Sequence, residues 1–274
     1  MVSVIIPVFN EEKTIIDCLK SLAQQTYSSF EVIIVDDGSA DKTLEVLSEF
    51  PISNFQFPIL ILKQDHQGPG IARNYGANHA RGEILVFIDA DMTFDKDFIK
   101  NLISPIMKNE SKGTFTKDEY VSNWENAWAR CWNYNNGIFM RSRIPSNYPN
   151  TSPVFRAILR SEFERVKGFD NIGYTDDWTL SRKLEYQATI SRNAICYHRN
   201  PETLKEIYTQ ARWIGRNEFI SGSLIRRLYN LIRYSIFVQT LKSLFIILKT
   251  GELEQFFFQI IYCTGINISI LINT

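Results

Sequence analysis

Strand-like and helix-like segments alternate along the first 110 residues of the chain. Apolar runs that read as strands lie at 2–9, 30–39, 57–63 and 83–91, and helix-like segments separate them. Continuous apolar runs are typical of strands covered on both faces, and their alternation with helices favours a parallel sheet built from βαβ units. Ligands of such sheets bind at the carboxyl ends of the strands. The sequence therefore predicts an α/β fold with its functional site at that edge.

Polar side chains stand where these strands end, namely Asn10, Glu11, Asp36, Asp37, Asp89 and Asp91. Asn10 is also expected to cap the helix that follows it. Asp89 and Asp91 are two residues apart, so on a strand their carboxylates face the same side. Such a pair repels itself unless a cation or a shared proton relieves the repulsion. A hard divalent cation bound there could neutralise a diphosphate leaving group, whereas a helix cap beside a solvated acid is the plain alternative.

The segment DADMT at 89–93 also fits the DxDxT pattern of haloacid-dehalogenase-type phosphatases. In that reading Asp89 would be a nucleophile and Asp91 an acid or base. The pattern usually lies on the first strand, however, and three strand–helix units precede it here. The second acidic motif of such a phosphatase should follow an apolar strand, but TDDW at 175–178 does not. The phosphatase is therefore the weaker alternative.

Five motifs, in order and spacing, resemble those of glycosyltransferase family 2. They are IPVFNEE (6–12), VDDGS (35–39), GPGIARNYG (68–76), FIDAD (87–91), and KGFD with TDDWTLSRKL (167–170, 175–184). The resemblance spans about residues 2–217. It implies a GT-A fold, which is Rossmann-like with a mostly parallel central sheet flanked by helices. It also implies an inverting transferase that uses a UDP-, GDP- or dTDP-sugar together with Mn²⁺ or Mg²⁺.

Matched by position, the resemblance implies that the nucleotide sugar contacts Pro7, Phe9, Glu11, Asp36, Asp37, Arg73, Asp89, Ala90, Arg212 and Trp213. It assigns the metal to Asp89 and Asp91, and His198 is a candidate third ligand. On the sequence alone, a hydrogen-bonded structural role for His198 is the alternative.

The segment TQARWIGR (209–216), which contains two of these residues, resembles a relaxed form of the QxxRW motif of processive synthases. Gln210 lies two residues before the arginine, not three. This departure argues against processive polymer synthesis.

An inverting transfer needs a base that takes the proton of the acceptor hydroxyl. The resemblance implies an acidic pair at the start of a helix, which here is Asp176 and Asp177, with Asp where Glu is more usual. Alignment of the motif makes Asp177 the base and Asp176 the alternative. Without the resemblance, charge compensation at a helix N-terminus would explain both residues.

Composition narrows the class of protein further. Lys+Arg 30 and Asp+Glu 30 give no net charge, which argues against a nucleic-acid binder. The four cysteines are far apart and are expected to be reduced and buried. The first residues lack the basic start and long apolar core of a signal peptide, so a cytoplasmic protein is expected. Trp124, Trp128 and Trp132 are four residues apart and are expected in a core, with a sugar-stacking wall as the alternative.

The C-terminal part has a different composition. The segment 224–249 mixes apolar residues with cations at helical spacing, which suits an anionic membrane surface. The segment 255–274 is uncharged and long enough to span a membrane, but residues such as Gln255, Gln259 and Asn267 make a lipid-exposed span costly. We therefore expect a peripheral protein at the cytoplasmic face of the membrane, contacting it through 220–274. Packing against the catalytic domain or a homodimer partner is the alternative.

The sequence thus predicts a GT-A catalytic domain over 1–218 and C-terminal helices over 219–274. Within the catalytic domain, 1–110 is expected to bind the nucleotide sugar and 111–218 to bind the acceptor, a glycan or a polyprenyl or other lipid-linked molecule. A non-catalytic, membrane-associated module that binds a sugar nucleotide or a glycan is the non-enzymatic alternative.

Overall fold

A computed structural model describes residues 1–51 and 55–272. The last two residues of the predicted C-terminal segment, 273–274, lie outside the described residues. The strands are β1 (Val2–Val8), β2 (Phe30–Asp36), β3 (Ile59–Lys63), β4 (Ile84–Phe87), β5 (Met92–Phe94), β6 (Gly113–Thr116), β7 (Glu119–Val121), β8 (Thr151–Ser152), β9 (Ala157–Leu159), β10 (Ala188–Ser191) and β11 (Cys196–His198). The helices are α1 (Ile15–Ala23), α2 (Thr43–Glu49), α3 (Pro69–His79), α4 (Phe98–Met107), α5 (Ala127–Asn135), α6 (Arg160–Arg165), α7 (Thr179–Leu184), α8 (Leu204–Gly215), α9 (Glu218–Ser221), α10 (Leu224–Arg233), α11 (Ile236–Thr250) and α12 (Glu254–Ile272).

The central sheet has eight strands in the order β3-β2-β1-β4-β9-β6-β10-β8. The first four are parallel, as the alternating pattern predicts, whereas β9 runs antiparallel to both β4 and β6. Alternate residues of β1 fill two separate cores, Val4 and Ile6 on one face and Ile5 on the other. Both faces of the sheet are therefore covered, which explains the continuous apolar runs.

The register of the parallel strands brings the predicted acidic residues to one edge. Val8 pairs with Asp36, and Ile5 pairs with Phe87. The residues that follow β1, β2 and β4 in the chain consequently lie along the same end of the sheet.

A second sheet has three strands in the order β5-β11-β7. The segment 188–200 contains two strands, β10 and β11. Asn193 between them has a positive φ of 60°, a conformation in which asparagine is enriched, so the chain turns there and β11 joins the second sheet. Because His198 pairs with Met92, this sheet sets His198 beside the residues that follow β4.

Asn10 does not cap α1. Its φ is 60°, and its side-chain oxygen accepts hydrogen bonds from the backbone N–H groups of Ala40 and Asp41. The N-cap position of α1 belongs to Thr14. The carboxyl-end loops of β1 and β2 are thereby tied together, and the helix starts four residues later than the sequence suggests.

The aromatic segment 122–139 is helical only over α5. The side chain of Asn126 accepts hydrogen bonds from the backbone N–H groups of Trp128 and Ala129, which fixes the start of the helix. Trp132 is buried, and its ring packs edge-on against those of Phe258 and Tyr262. The expectation that this tryptophan stripe belongs to a core is confirmed for Trp132.

The chain divides into two packed units. The first comprises 1–120, 146–171 and 176–198, and the second comprises 121–145, 172–175 and 199–274. The second unit contains α5 and the helices from α8 to α12. The predicted boundary at residue 218, between a catalytic domain and the C-terminal helices, stays a prediction. All four cysteines are free and buried, as expected.

Candidate active site

Asp89 follows β4 and is held by two arginines. Its Oδ1 accepts a hydrogen bond from Arg73 Nη2 at 2.8 Å, and its Oδ2 accepts one from Arg156 Nη1 at 3.0 Å. Burial by itself would raise the pKa of Asp89, but the two guanidinium groups outweigh it and hold that pKa well below its usual range. Asp89 is therefore a permanent negative charge, and fixed cations of the protein neutralise it.

Arg73, which lies on α3, also reaches the second acidic motif. Its Nη1 donates a hydrogen bond to Asp176 Oδ1 at 3.3 Å. A single buried guanidinium thus joins the residue after β4 to the turn before α7, two segments that are far apart in the chain.

Asp176 and Asp177 form a 3₁₀ turn, Asp176–Trp178, that leads into α7. Asp176 packs on the N-terminal turn of α3 so closely that a Cβ atom at Gly70 would lie 2.6 Å from its Oδ2. Burial raises the pKa of Asp177 to about 6; Arg73 opposes this shift, and the neighbouring Asp176 carboxylate adds to it. Asp177 is consequently a carboxylate that can take up a proton close to neutral pH.

Asp91, His198 and Glu119 form a chain of contacts. His198 Nε2 lies 3.1 Å from Asp91 Oδ1, and His198 Nδ1 lies 3.0 Å from Glu119 Oε1. If Nδ1 carries the proton that Glu119 accepts, a neutral imidazole turns the lone pair of Nε2 toward a carboxylate oxygen. That contact is favourable only when Nε2 is protonated or when a cation lies between the two atoms.

The donor atoms at this edge fit a divalent cation with few protein ligands. Within residues 1–51 and 55–272, no three His, Cys, Asp or Glu residues are arranged as a metal-binding group. Asp91 and His198 offer one carboxylate and one imidazole, whereas both oxygens of Asp89 are engaged by arginines. Mg²⁺ is commonly held by one or two carboxylates plus phosphate oxygens and water. Of the predicted metal residues, Asp91 and His198 are the two whose donor atoms could hold such an ion, and their assignment as ligands stays a prediction.

Glu11 lies beside this group. Burial, followed by the nearby charge of Asp91, raises the pKa of Glu11 to about 7. The hydroxyl of Thr14 donates a hydrogen bond to the Glu11 carboxylate, and the Glu11 backbone N–H donates to Thr43 Oγ1 at 2.8 Å. The sequence is correct in placing Glu11 at the same edge as Asp91.

Asp37 organises the loop before α3. Its Oδ1 accepts hydrogen bonds from Gln64 Nε2 at 2.6 Å and from the backbone N–H of Gln67 at 2.9 Å. Its Oδ2 accepts one from the backbone N–H of Gly68 at 2.8 Å and lies 2.9 Å from His66 Nδ1. Asp37, which is predicted to contact the nucleotide sugar, therefore fixes the loop that leads to Arg73.

The remaining donor-site candidates of the first unit lie along the same edge. Phe9 is 43% exposed, and its ring stacks on that of His66 with 4.1 Å between centroids. Pro7 pairs with Val35 inside the sheet, and the carboxylate of Asp36 is buried. Ala90 is buried in the core, and its predicted contact with the nucleotide sugar stays a prediction.

Arg212 and Trp213 lie on α8 in the second unit. Arg212 Nε donates a hydrogen bond to Ser269 Oγ at 3.0 Å, and Trp213 packs edge-on against Tyr174 with 5.0 Å between ring centroids. Their predicted contact with the nucleotide sugar stays a prediction.

The sequence does not single out Arg156 or Glu119. Arg156 precedes β9, and its Nη2 donates to Glu119 Oε2 at 3.3 Å while its other terminal nitrogen binds Asp89. Arg156 reaches the site because β9 enters the sheet antiparallel to β4, and Glu119 reaches it because β7 pairs with β11 in the second sheet. An alternating pattern predicts neither arrangement. The one available signal is a charged residue next to a short apolar run, and that signal is common.

The chain was compared with known families and curated proteins. The family model Glycosyl transferase family 2 matches residues 3–167, more than half of the chain. A poly-beta-1,6-N-acetyl-D-glucosamine synthase of Staphylococcus epidermidis is 29% identical over 221 residues, which cover 77% of this chain and 53% of that protein. The chain spans about half or less of the length of the curated relatives it matches most strongly.

Solved structures share the fold at low sequence identity. The mannosyltransferase PcManGT from Pyrobaculum calidifontis, in complex with GDP-Man and Mn²⁺, has a TM-score of 0.64 at 18% identity, covering 100% of this chain and 87% of its own. S. aureus TarS 1-349 in complex with UDP-GlcNAc has a TM-score of 0.60 at 18% identity, covering 98% and 90%. The extent of the family match and these shared architectures lead to one conclusion: the chain belongs to glycosyl transferase family 2 and has the GT-A fold.

Proposed function

We propose that the protein transfers a sugar from a nucleoside-diphosphate sugar to an acceptor hydroxyl and inverts the anomeric centre. The observation that carries this proposal is the Arg73 guanidinium, which ties Asp89 on the donor side to Asp176, the neighbour of Asp177. The buried Arg73 guanidinium therefore holds Asp89, which is permanently ionised, in a fixed position relative to the turn that contains the proton-accepting Asp177. Structural neighbours that contain UDP-GlcNAc or GDP-Man support the donor class.

On the donor side, Asp89 is held ionised and in place by Arg73 and Arg156, so it can accept hydrogen bonds from the hydroxyl groups of the nucleotide sugar. Asp91 and His198 would hold Mn²⁺ or Mg²⁺. When bound, the cation supplies positive charge to the diphosphate leaving group. The Mn²⁺ in the structure of PcManGT supports the use of a divalent ion.

On the acceptor side, Asp177 takes the proton of the attacking hydroxyl. The acceptor oxygen forms a bond to the anomeric carbon while the bond from that carbon to the diphosphate oxygen breaks, and the electron pair leaves with the diphosphate. Attack from the face opposite the leaving group inverts the anomeric centre. The pKa of about 6 suits the role, because a general base works best when its pKa lies near the operating pH.

The phosphatase alternative is disfavoured by the family match. The contacts of Asp89 add to this, because the two guanidinium groups that neutralise its carboxylate make it a weak nucleophile. We retain a glycan or a lipid-linked hydroxyl as the acceptor classes.

Donor hydrolysis and transfer, measured across UDP-, GDP- and dTDP-sugars with Mn²⁺, test the proposal. We expect one nucleotide class to be turned over, with product of the opposite anomeric configuration by NMR. The variant Asp177→Asn should bind the donor but lose turnover, whereas Asp170→Asn, an exposed carboxylate paired with Lys183, should stay active. An inactive wild type on every donor, or full activity of Asp177→Asn, would overturn it and leave the binding module as the better account.

A further inference from the structure

We propose that α10 and α11, together with the outward side of α12, form a lipid-docking face that lies on an anionic bilayer surface. This inference concerns the second packed unit by itself and does not depend on the proposed transfer reaction.

The exposed apolar side chains of the protein are concentrated in this part. Among the described residues, 18 of the 26 exposed large apolar side chains lie within 219–272. The most exposed are Leu248 at 88%, Ile225 at 81% and Phe237 at 74%. Monomeric soluble proteins rarely expose continuous apolar surface on this scale, so the face is expected to be covered by something apolar.

Several uncharged polar residues of the same helices are buried. Asn230, Gln239, Ser243, Gln255 and Gln259 are all nearly inaccessible to solvent. Gln259 Nε2 donates to Asn135 Oδ1 at 3.1 Å and also to Gln239, and Gln255 Nε2 donates to Gln259 Oε1 at 3.0 Å. These polar groups share the interior with apolar side chains such as Phe258, while the exposed apolar side chains lie on the outer sides of the helices. Their inward placement removes the cost that the sequence assigns to exposing Gln255 and Gln259 to lipid.

Burial and bending indicate that the face lies on the bilayer and does not cross it. A helical span needs about 20 residues. Within the described part of the chain, α12 is the one single helix long and apolar enough, and half of its apolar stretch is buried in the protein. The helices α10 and α11 have 10 and 15 residues; together they are long and apolar enough for one span, but they are bent by 46° relative to each other.

The charge on these helices selects the partner. From 220 to 250 the chain contains five cationic residues and no acidic one. Arg226, Arg233 and Lys249 are exposed beside the apolar side chains. A second copy of this chain, packed face to face across a two-fold axis, would add the same cationic surface and no acidic side chain from 220–250 to balance it. An anionic bilayer satisfies the apolar and the cationic groups together.

Co-sedimentation with vesicles tests this proposal. We expect the full chain to bind vesicles of equal parts phosphatidylcholine and phosphatidylglycerol, and to bind pure phosphatidylcholine more weakly. The double variant Phe237→Ser/Leu248→Ser should weaken binding about tenfold or more, because interfacial affinity scales with the apolar area inserted. The matched control Leu60→Ser/Met107→Ser changes two exposed apolar residues of the first unit and should bind as the wild type does.

Circular dichroism of each variant checks that the helices are retained, and donor hydrolysis in lipid-free buffer checks the active site. Failure of the wild type to bind either vesicle would overturn the proposal. An equal loss in the control variant would also overturn it. A stable dimer in lipid-free solution that Phe237→Ser/Leu248→Ser dissociates would assign the face to a second copy instead.

Discussion

Asp89 and Asp177 are both partly buried, yet their pKa values move in opposite directions. Two guanidinium groups contact Asp89 and hold its pKa well below the usual range against the effect of burial. For Asp177 burial prevails over the more distant Arg73, and its pKa rises to about 6. The comparison shows how Arg73 and Arg156 can keep Asp89 ionised and still leave Asp177 as a proton acceptor.

The replacement Asp177→Asn should have the largest effect and tests the proton-accepting end. Loss of a general base typically lowers turnover by about 10²–10⁴-fold. We expect kcat to fall by that amount while the Kd for the nucleotide sugar, measured by calorimetry, changes little. A similar loss of donor affinity would show that Asp177 binds the donor. Asp89 and Asp177 would then not have separate roles.

The variant Arg73→Met tests the arginine that joins Asp89 to Asp176. It leaves the Asp89 and Asp176 carboxylates without a shared partner, and removal of one member of a buried ion pair typically costs about 3–5 kcal/mol. Urea denaturation should report this loss. The exposed pair of Lys20 and Asp17 provides the control, because Lys20→Met should leave stability almost unchanged. Equal midpoints for the two variants would contradict a structural role for Arg73.

The variant Glu119→Gln tests whether His198, together with Asp91, holds the metal ion. Glu119 contacts His198 Nδ1, and groups that orient a metal-binding imidazole contribute about 10–100-fold to metal affinity. We expect the Mn²⁺ concentration for half-maximal activity to rise by that factor, while saturating Mn²⁺ restores turnover. Prior treatment with EDTA should abolish activity in both proteins. An unchanged Mn²⁺ requirement would remove His198 from the metal site.

The pH dependence of kcat/KM should show the smallest effect. The folded-state pKa of Asp177 lies above its ordinary value, and the base must be ionised to act. Activity should therefore rise through about pH 6, falling about tenfold per pH unit on the acidic side. Any further change near pH 7 is assigned to Glu11, whose pKa is raised to about 7. Asp89 should add no further step near neutrality, because its pKa is depressed. A flat profile between pH 5 and 8 would contradict the assignment of Asp177.

The sequence correctly predicts which acidic residues lie at the carboxyl ends of the parallel strands, because their positions depend on local patterns. Apolar runs that end in acidic residues are enough to place Glu11, Asp37, Asp89 and Asp91 at one end of a parallel sheet. Asn10 shows the limit of such patterns, since its side chain can cap a helix or bind a neighbouring loop equally well, and tertiary contacts decide.

The contacts of the two arginines with Asp89 could not be predicted in the same way. Asp89 and Arg156 are 67 residues apart and meet only because β9 inserts antiparallel beside β4. Likewise, helical spacing in 224–249 predicts an amphipathic segment but does not say which side packs inward. Only the packing of α11 and α12 shows that Gln239 and Gln259 face each other.

Gly70 has a consequence that concerns how the site could change. A Cβ atom at this position would lie 2.6 Å from Asp176 Oδ2 and 3.0 Å from Asp176 Cβ. Even alanine would therefore push on the residue that immediately precedes the proposed base. Position 70 thus leaves no room for a side chain between α3 and the 3₁₀ turn of Asp176. A larger residue there would require the Asp176 side chain or its turn to move, and a moving turn would displace the proposed base with it.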